Sequence, residues 1–152
     1  MRLFPSRIKH FFSPEENQRI VSTIQEAEKR TSGEIRVYVE SRCRFMDPVD
    51  RAMELFYGLK MDKTRQRNGV ILYIAVRDHQ LAVYGDEGIH QVVGEDFWRT
   101  KVQHILSEFN AAHYVDGIVQ VIREIGMALC EHFPYMVESD KNELPDEIVF
   151  GK

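Results

Sequence analysis

The chain has 152 residues, a length that suits one domain with a substantial core. Its 43% apolar and 29% charged residues are typical of a globular protein, and its net charge of −4 argues against a general nucleic-acid binder. No apolar run approaches the ~18 residues of a membrane span, and the N-terminus lacks the pattern of a signal peptide. We therefore expect a soluble, cytoplasmic protein that binds neither nucleic acid nor membrane.

The first predicted elements are a helix and a strand. Ser13 is a capping residue, Pro14 occupies the first helical position, and Glu16 stands three residues after the cap, a pattern that predicts a helix N-terminus. Residues 34–40 then alternate apolar and polar side chains, which predicts a half-buried strand.

The next segment predicts a helix followed by a hairpin. Asp47 and Pro48 repeat the pattern of a cap followed by proline, and apolar residues at helical spacing follow them. Residues 69–76 form an unbroken, β-branched apolar run, which is typical of an interior strand. A short polar turn leads into residues 81–84, which we interpret as the returning strand of a hairpin.

Apolar stripes predict three more helices, at residues 87–92, 96–110 and 114–132. The tail is either irregular or returns as a late edge strand at residues 148–150. A strand, a helix and a second strand imply a parallel pair, and the hairpin adds an antiparallel neighbour. The sequence thus predicts an α/β fold, a three-layer α/β/α sandwich around a small mixed sheet. We divide it into a basic segment (1–12), a central domain (13–134) and an acidic tail (135–152).

Charge is unevenly distributed along this order. Residues 1–12 and 60–67 each carry a net +3, residues 85–96 hold four acids and no lysine or arginine, and the tail carries −3. The plain interpretation of each run is a solvated surface. The two cysteines, Cys43 and Cys130, are too few and too far apart for a disulfide framework or a zinc site.

The predicted topology brings polar residues to one edge of the sheet. If the strands at 34–40 and 69–76 are parallel, Glu34 and Asn68 lie at the same edge, and the hairpin returns Asp86 and Glu87 to it together with Arg67. Oxygen donors beside a glycine-containing turn suit a hard cation, so we predict a Ca²⁺ or Mg²⁺ site. The alternative is that these residues cap loops and the next helix.

The opposite edge of the sheet is the alternative place for a ligand. Ligands usually lie at the carboxyl ends of parallel strands, which favours this edge. It holds Glu40, Ser41 and Asp78, a sparse set of polar groups. The residue pattern therefore favours the first edge.

Four short motifs occur in order along the chain: Thr31-Ser32-Gly33-Glu34-Ile35, Arg67-Asn68-Gly69-Val70, Gly85-Asp86-Glu87-Gly88-Ile89, and Phe109 with Tyr114-Val115-Asp116-Gly117-Ile118. Together they resemble the TPM domain family over roughly residues 12–134. The segment 142–148 is similar to a soluble, single-domain bacterial branch of that family.

The resemblance implies an α/β/α sandwich and several functions that are known in the family. These are acid phosphatase activity in a plant thylakoid member, divalent-metal binding in some members and a receptor-accessory role in an animal member. The family pattern maps onto Glu34, onto Asn68 and Gly69, and onto the turn at 85–88. Many members carry a signal peptide and a transmembrane helix, which we do not find in this sequence.

Three functions follow as hypotheses. The first is binding of a divalent cation, Ca²⁺ before Mg²⁺, by Glu34, Asn68, Asp86 and Glu87. The second is a metal-assisted phosphomonoester hydrolase, in which Arg67 or Lys63 holds the phosphate of a phosphorylated small molecule and an acid serves as nucleophile or base. The third is a non-catalytic module that binds a protein partner through the basic loop at 60–67 or through the tail.

Overall fold

The computed structural model describes residues 11–43, 45–110, 113–135 and 148–151. Within these ranges, five helices pack on one four-stranded sheet. The predicted basic segment and acidic tail lie outside the described residues, apart from residues 11–12, 135 and 148–151. None of the described helices is long and apolar enough to cross a membrane.

The predicted elements are all present, with ends close to the predicted ones. The helices are α1 (Pro14–Glu28), α2 (Pro48–Gly58), α3 (Glu87–Val93), α4 (Glu95–Asn110) and α5 (Tyr114–His132). The strands are β1 (Glu34–Glu40), β2 (Gly69–Ala75), β3 (Gln80–Gly85) and β4 (Val149–Phe150).

The start signals of the first two helices work through side-chain caps. The Ser13 hydroxyl accepts a hydrogen bond from the Glu16 amide at 3.1 Å, and the Glu16 carboxylate accepts one from the Ser13 amide at 2.8 Å. This reciprocal pair satisfies two amides that the helix leaves without partners. The Asp47 carboxylate similarly accepts from the Val49 amide at 2.8 Å, so both predicted caps are confirmed.

The sheet has the strand order β3-β2-β1-β4. β1 and β2 are parallel, with Glu34 opposite Gly69 and Glu40 opposite Ala75. β2 and β3 form the predicted antiparallel hairpin, and β4 pairs with β1 in parallel. The late edge strand, one of the two alternatives for the tail, is therefore the one observed.

Helices cover both faces of the sheet. On one face α2 packs through Ala52 and Phe56 against Tyr73 of the buried central strand β2. On the other face α1, α3, α4 and α5 enclose the larger core, which includes Ile20 and Ile122. The predicted three-layer α/β/α sandwich with a mixed sheet is confirmed.

Candidate functional site

Three segments meet at the edge where β1 and β2 begin, which we call the amino-end edge. The Glu34 amide donates to the Asn68 carbonyl at 3.3 Å, and the Asp86 amide donates to the Gly69 carbonyl at 2.9 Å. Glu34 and Asp86 therefore flank Gly69 from the two neighbouring strands, as the predicted topology requires. Residues opposite one another in a sheet point to the same face, so the two carboxylates share the face that α2 covers.

A close backbone contact holds the loop before β2 against the turn after β3. The Gly88 amide donates to the Arg67 carbonyl at 2.8 Å. A Cβ atom on Gly88 would lie 2.1 Å from the carbonyl oxygen of Gln66 and 2.6 Å from that of Arg67, so only glycine fits here. Arg67 itself has a φ of 52°, a conformation that is costly for a residue with a side chain and that is maintained by its surroundings.

The Arg67 side chain binds two of the predicted site residues. Its Nε and Nη2 donate to the two carboxylate oxygens of Asp86 at 2.7 and 2.8 Å, and its Nη1 lies 2.9 Å from Glu87 Oε1. Hydrogen bonding to Asp86 raises the pKa of Arg67 above its ordinary value. Asp86 Oδ1 also accepts from the Glu87 amide at 2.8 Å and so caps α3. Arg67, predicted as an anion ligand, thus binds the protein's own carboxylates.

Asn68 is as deeply buried as Asp86, the other predicted ligand that is 1% exposed. It is 1% exposed, its amide donates to the Thr64 hydroxyl at 3.3 Å, and its Nδ2 donates to the Ser32 hydroxyl at 3.3 Å. Its side-chain oxygen, Oδ1, is buried and accepts no hydrogen bond from the described residues. Oδ1 is therefore an unfilled acceptor in the interior. Burying a carbonyl oxygen without a donor costs roughly 1–3 kcal/mol of folding free energy.

The two remaining predicted residues, Glu34 and Lys63, differ in their exposure. Glu34 is 2% exposed and lies across Gly69 from Asp86, and a Cβ atom on Gly69 would lie 3.1 Å from the carbonyl oxygen of Met61. Lys63, the other predicted anion ligand, has a side chain that is 71% exposed and forms a loose ion pair with Asp62 at 3.8 Å. The described residues contain no group of three or more histidine, cysteine or acidic side chains at ligating distance from one another.

A second ionic cluster, which the sequence does not reveal, lies at the carboxyl-end edge, where β1 and β2 end. Arg51 of α2 donates from Nε and Nη2 to the two oxygens of Glu40, each at 2.9 Å, and the hydroxyl of Tyr73 donates to Glu40 Oε2. Glu40 is 6% exposed and Tyr73 is fully buried. Burial is the main cause that raises the pKa of Tyr73, and the hydrogen bond to Glu40 is the second.

The sequence places Glu40 at this edge but does not predict its partners Arg51 and Tyr73. The signal that could have found them is the parallel register, which places Tyr73 two residues before the partner of Glu40 and on the same face. Asp78, also expected at this edge, accepts from the Cys43 amide at 2.8 Å and therefore closes a loop.

The TPM domain model matches residues 7–128 of the chain. The chain belongs to the TPM domain family. The solved structure of the BA42 protein from Bizionia argentinensis is 44% identical, with a TM-score of 0.85, and the match covers 96% of this chain and 99% of that one. The predicted resemblance is therefore confirmed.

Two more distant structures share the fold of this TPM domain. The N-terminal domain of cg2496 from Corynebacterium glutamicum is 12% identical, with a TM-score of 0.63 over 79% of this chain and 75% of that one. The N-terminal domain of a P. gingivalis protein is 14% identical, with a TM-score of 0.66 over 82% of each chain. No curated protein matches the chain.

One further feature of the TPM domain adjoins the amino-end edge and was not predicted. A cavity of about 510 Å³ follows the outer side of β3, between α2 and α4, and reaches Asp86 and Glu87 at one end. We call it the β3 groove. Aromatic groups line it: the hydroxyls of Tyr57 and Tyr84 lie 3.3 Å apart, and the indole of Trp98 is nearby. Finding it requires the positions of two helices relative to a strand, which local sequence patterns do not contain.

Proposed function

We propose that this TPM domain binds a divalent cation, Ca²⁺ before Mg²⁺, at the amino-end edge. The proposal rests on Asn68, the residue directly after Arg67. Its side-chain oxygen is buried and accepts no hydrogen bond from the described residues. A neutral amide oxygen is an ordinary ligand for Ca²⁺, and a bound cation would offset the cost of burying it.

The Arg67 guanidinium shows where positive charge is accepted. It lies within 2.9 Å of oxygens from both Asp86 and Glu87, so two carboxylates already converge on one cation. The Arg67 side chain is 36% exposed and can move into solvent, whereas the Asp86 side chain is 1% exposed and stays in place. In our proposal the cation and the guanidinium are alternative occupants of the Asp86 carboxylate.

Glu34 completes the proposed ligand set. It is buried, lies on the same face as Asp86 and is tied through its backbone to Asn68, so a movement of the loop at 66–68 changes its surroundings directly. A set of three carboxylates and one amide would supply a net charge of −3 for a +2 ion, which favours a hard cation with oxygen ligands.

The test is a calcium titration by isothermal titration calorimetry on wild type, Asn68→Ala and Asn17→Ala. Asn17 is the matched control, because its side-chain oxygen is also buried without a hydrogen bond from the described residues but lies on α1. We expect Asn68→Ala to weaken calcium binding at least tenfold and Asn17→Ala to leave it unchanged. No binding to wild type, or equal binding to all three proteins, would contradict the proposal.

A phosphatase gains no support from the described residues. Asp86, the acid nearest to Arg67, has both oxygens bonded to that guanidinium, and one of them also caps α3. Lys63 is 71% exposed and forms its ion pair with Asp62. The geometry therefore favours cation binding over phosphate transfer, and turnover of p-nitrophenyl phosphate that is lost in Asp86→Asn would reverse this preference.

A further inference from the structure

The outer edge of β3 is an open strand edge within the described residues. The sheet order ends at β3, and the Asp86 amide is bonded to the Gly69 carbonyl. In an antiparallel ladder, residues alternate between pointing their backbone groups toward and away from the partner strand. Counting from Asp86, the amide and carbonyl groups of Leu81, Val83 and Gly85 point away from β2, into the β3 groove.

The β3 groove runs between two helices and along the edge of one strand. α2 forms one wall with Val49 and Tyr57, and α4 forms the other with Trp98 and Val102. Between them the edge from residue 81 to residue 85 is about 13 Å long, at the usual rise of a strand. The three outward backbone pairs lie along this length, where a fifth strand would meet them.

An exposed apolar stripe on α2 continues the groove wall onto the surface. Val49, Met53 and Tyr57 recur every four residues and are 49%, 38% and 45% exposed. Apolar side chains that are exposed side by side next to a cavity mark interaction surfaces more often than isolated ones do. The stripe enlarges the apolar area that a bound segment could cover.

The charge around the groove is negative at the end nearest Gly85. Its lining includes the acids Asp86, Glu87 and Glu95. Asp86 and Glu87 share the guanidinium of Arg67, so these four groups together carry a net charge of −2, and Glu95 is exposed to solvent. The one arginine in the lining, Arg99, forms an ion pair with Asp96 at 2.8 Å. A segment that binds here is therefore favoured by a positive charge at this end.

We propose that the β3 groove binds an extended segment of a partner protein as a fifth strand of the sheet. The segment has apolar side chains on both of its faces, one row against α2 and the other against α4, and a lysine or arginine next to Glu87 and Glu95. Main-chain hydrogen bonds to residues 81, 83 and 85 supply general affinity, and the two apolar walls supply selectivity.

A second copy of the chain fits the groove less well. Pairing two β3 edges about a two-fold axis brings the α2 and α4 helices of both copies to the same seam. Those helices already form the walls of the groove, so the strand of a second copy would have to enter between them together with its own helices. The open edge is accessible to a single strand that carries no helices beside it.

The experiment selects random decapeptides displayed on phage against the protein in EDTA, which separates it from any test of cation binding. The selected peptide is then synthesised and its affinity measured for wild type, Val83→Pro, Val49→Lys and Met127→Lys. Val83→Pro removes the backbone amide that points into the groove and leaves the hydrogen bonds between β3 and β2 in place. Val49→Lys places a charge on the α2 wall of the groove, at a position that is already exposed to solvent. Met127, 69% exposed on α5, is the control.

We expect selected peptides to combine apolar residues with a terminal lysine or arginine. Their binding should weaken at least tenfold in Val83→Pro and Val49→Lys and stay unchanged in Met127→Lys. It should also protect the amides of residues 81, 83 and 85 from hydrogen exchange. Failure to enrich any peptide, or equal binding to all variants, would overturn the proposal. A dimer in sedimentation that Val83→Pro dissociates would assign the groove to a second copy and overturn it as well.

Discussion

The two ends of the sheet hold the same ionic motif in different surroundings. At the carboxyl-end edge Arg51 binds both oxygens of Glu40, each at 2.9 Å, and at the amino-end edge Arg67 binds both oxygens of Asp86, at 2.7 and 2.8 Å. Both carboxylates are buried. The arginine–carboxylate pairs alone therefore do not tell which end of the sheet is a binding site.

The neighbouring groups make the difference. Glu40 also accepts from the buried hydroxyl of Tyr73, so this pair ties α2 to β1 and β2. At the other end Arg67 is partly exposed, shares its charge with a solvent-exposed Glu87, and is followed by Asn68 with its unfilled oxygen. The pair at the carboxyl-end edge, which also binds a buried hydroxyl, is structural. The pair at the amino-end edge, which is partly exposed and stands beside an unfilled acceptor, is a candidate for binding.

The largest expected effect is at the carboxyl-end edge. Glu40→Ala leaves Arg51 and the buried Tyr73 hydroxyl without their acceptor, and we expect a loss of about 2–4 kcal/mol in the free energy of unfolding. Urea denaturation measures it. The control is Asp116→Ala, which breaks the exposed pair with Arg19 and should cost less than about 1 kcal/mol. Equal losses in the two variants would show that the Glu40 cluster is not a structural tie.

A somewhat smaller loss is expected where the amino-end edge is most tightly packed. Gly88→Ala forces a methyl group against the carbonyls of Gln66 and Arg67, which should cost about 1–3 kcal/mol in unfolding free energy and weaken any cation binding. Gly58→Ala is the control, because nothing lies within 4 Å of its Cβ position and alanine suits the end of α2. If thermal melts rank the two variants the other way, the loop contact is not as close as described.

The next prediction concerns the Arg67 guanidinium, which in our proposal competes with the cation for Asp86. Arg67→Gln frees Asp86, and we expect calcium affinity to rise about tenfold, equivalent to ~1.4 kcal/mol of binding free energy. Arg51→Gln is the control, because it lies at the opposite edge and should leave calcium affinity unchanged while lowering stability. Calorimetric titration of both variants measures this, and a fall in affinity for Arg67→Gln would contradict the exchange of guanidinium for cation.

The last expected effect, similar in size to the change at Arg67, is an alkaline loss of stability at the carboxyl-end edge. The folded protein keeps Tyr73 neutral because its pKa is raised, whereas Tyr73 in the unfolded chain ionises near pH 10. The contribution of Tyr73 to the free energy of unfolding is therefore complete below about pH 10 and is lost as the pH rises further. At pH 11 the loss from this residue is about 1.4 kcal/mol. Tyr73→Phe should therefore show a shallower decline in urea midpoint between pH 9 and 11; a decline as steep as that of wild type would contradict the assignment.

The fold was predictable because its signals are local. The Ser13 cap, the pattern of Asp47 followed by Pro48 and the unbroken apolar run of β2 each act within a few residues, and the alternation of elements then dictates the topology. That topology also predicts that the backbones of Glu34, Asn68 and Asp86 meet at one edge of the sheet.

Side-chain pairing was not predictable to the same degree. The direction of the Arg67 side chain depends on a positive φ and on the contact with Gly88, and neither can be derived from charge patterns. The Arg51–Glu40 pair depends on how α2 lies across the sheet, as does the β3 groove. The ligand set, the cytoplasmic location and the absence of nucleic-acid and membrane partners stay predictions.

The most direct test of cation binding follows the Asn68 side chain itself during a calcium titration by NMR. We predict that its side-chain amide signals shift saturably, in step with the backbone amides of residues 67–69 and 86–88, and that the Arg67 Nε proton exchanges faster as its carboxylate partner is taken. If the Asn68 signals stay fixed while only those of the acidic tail at 135–152 move, the amino-end edge is not a cation site.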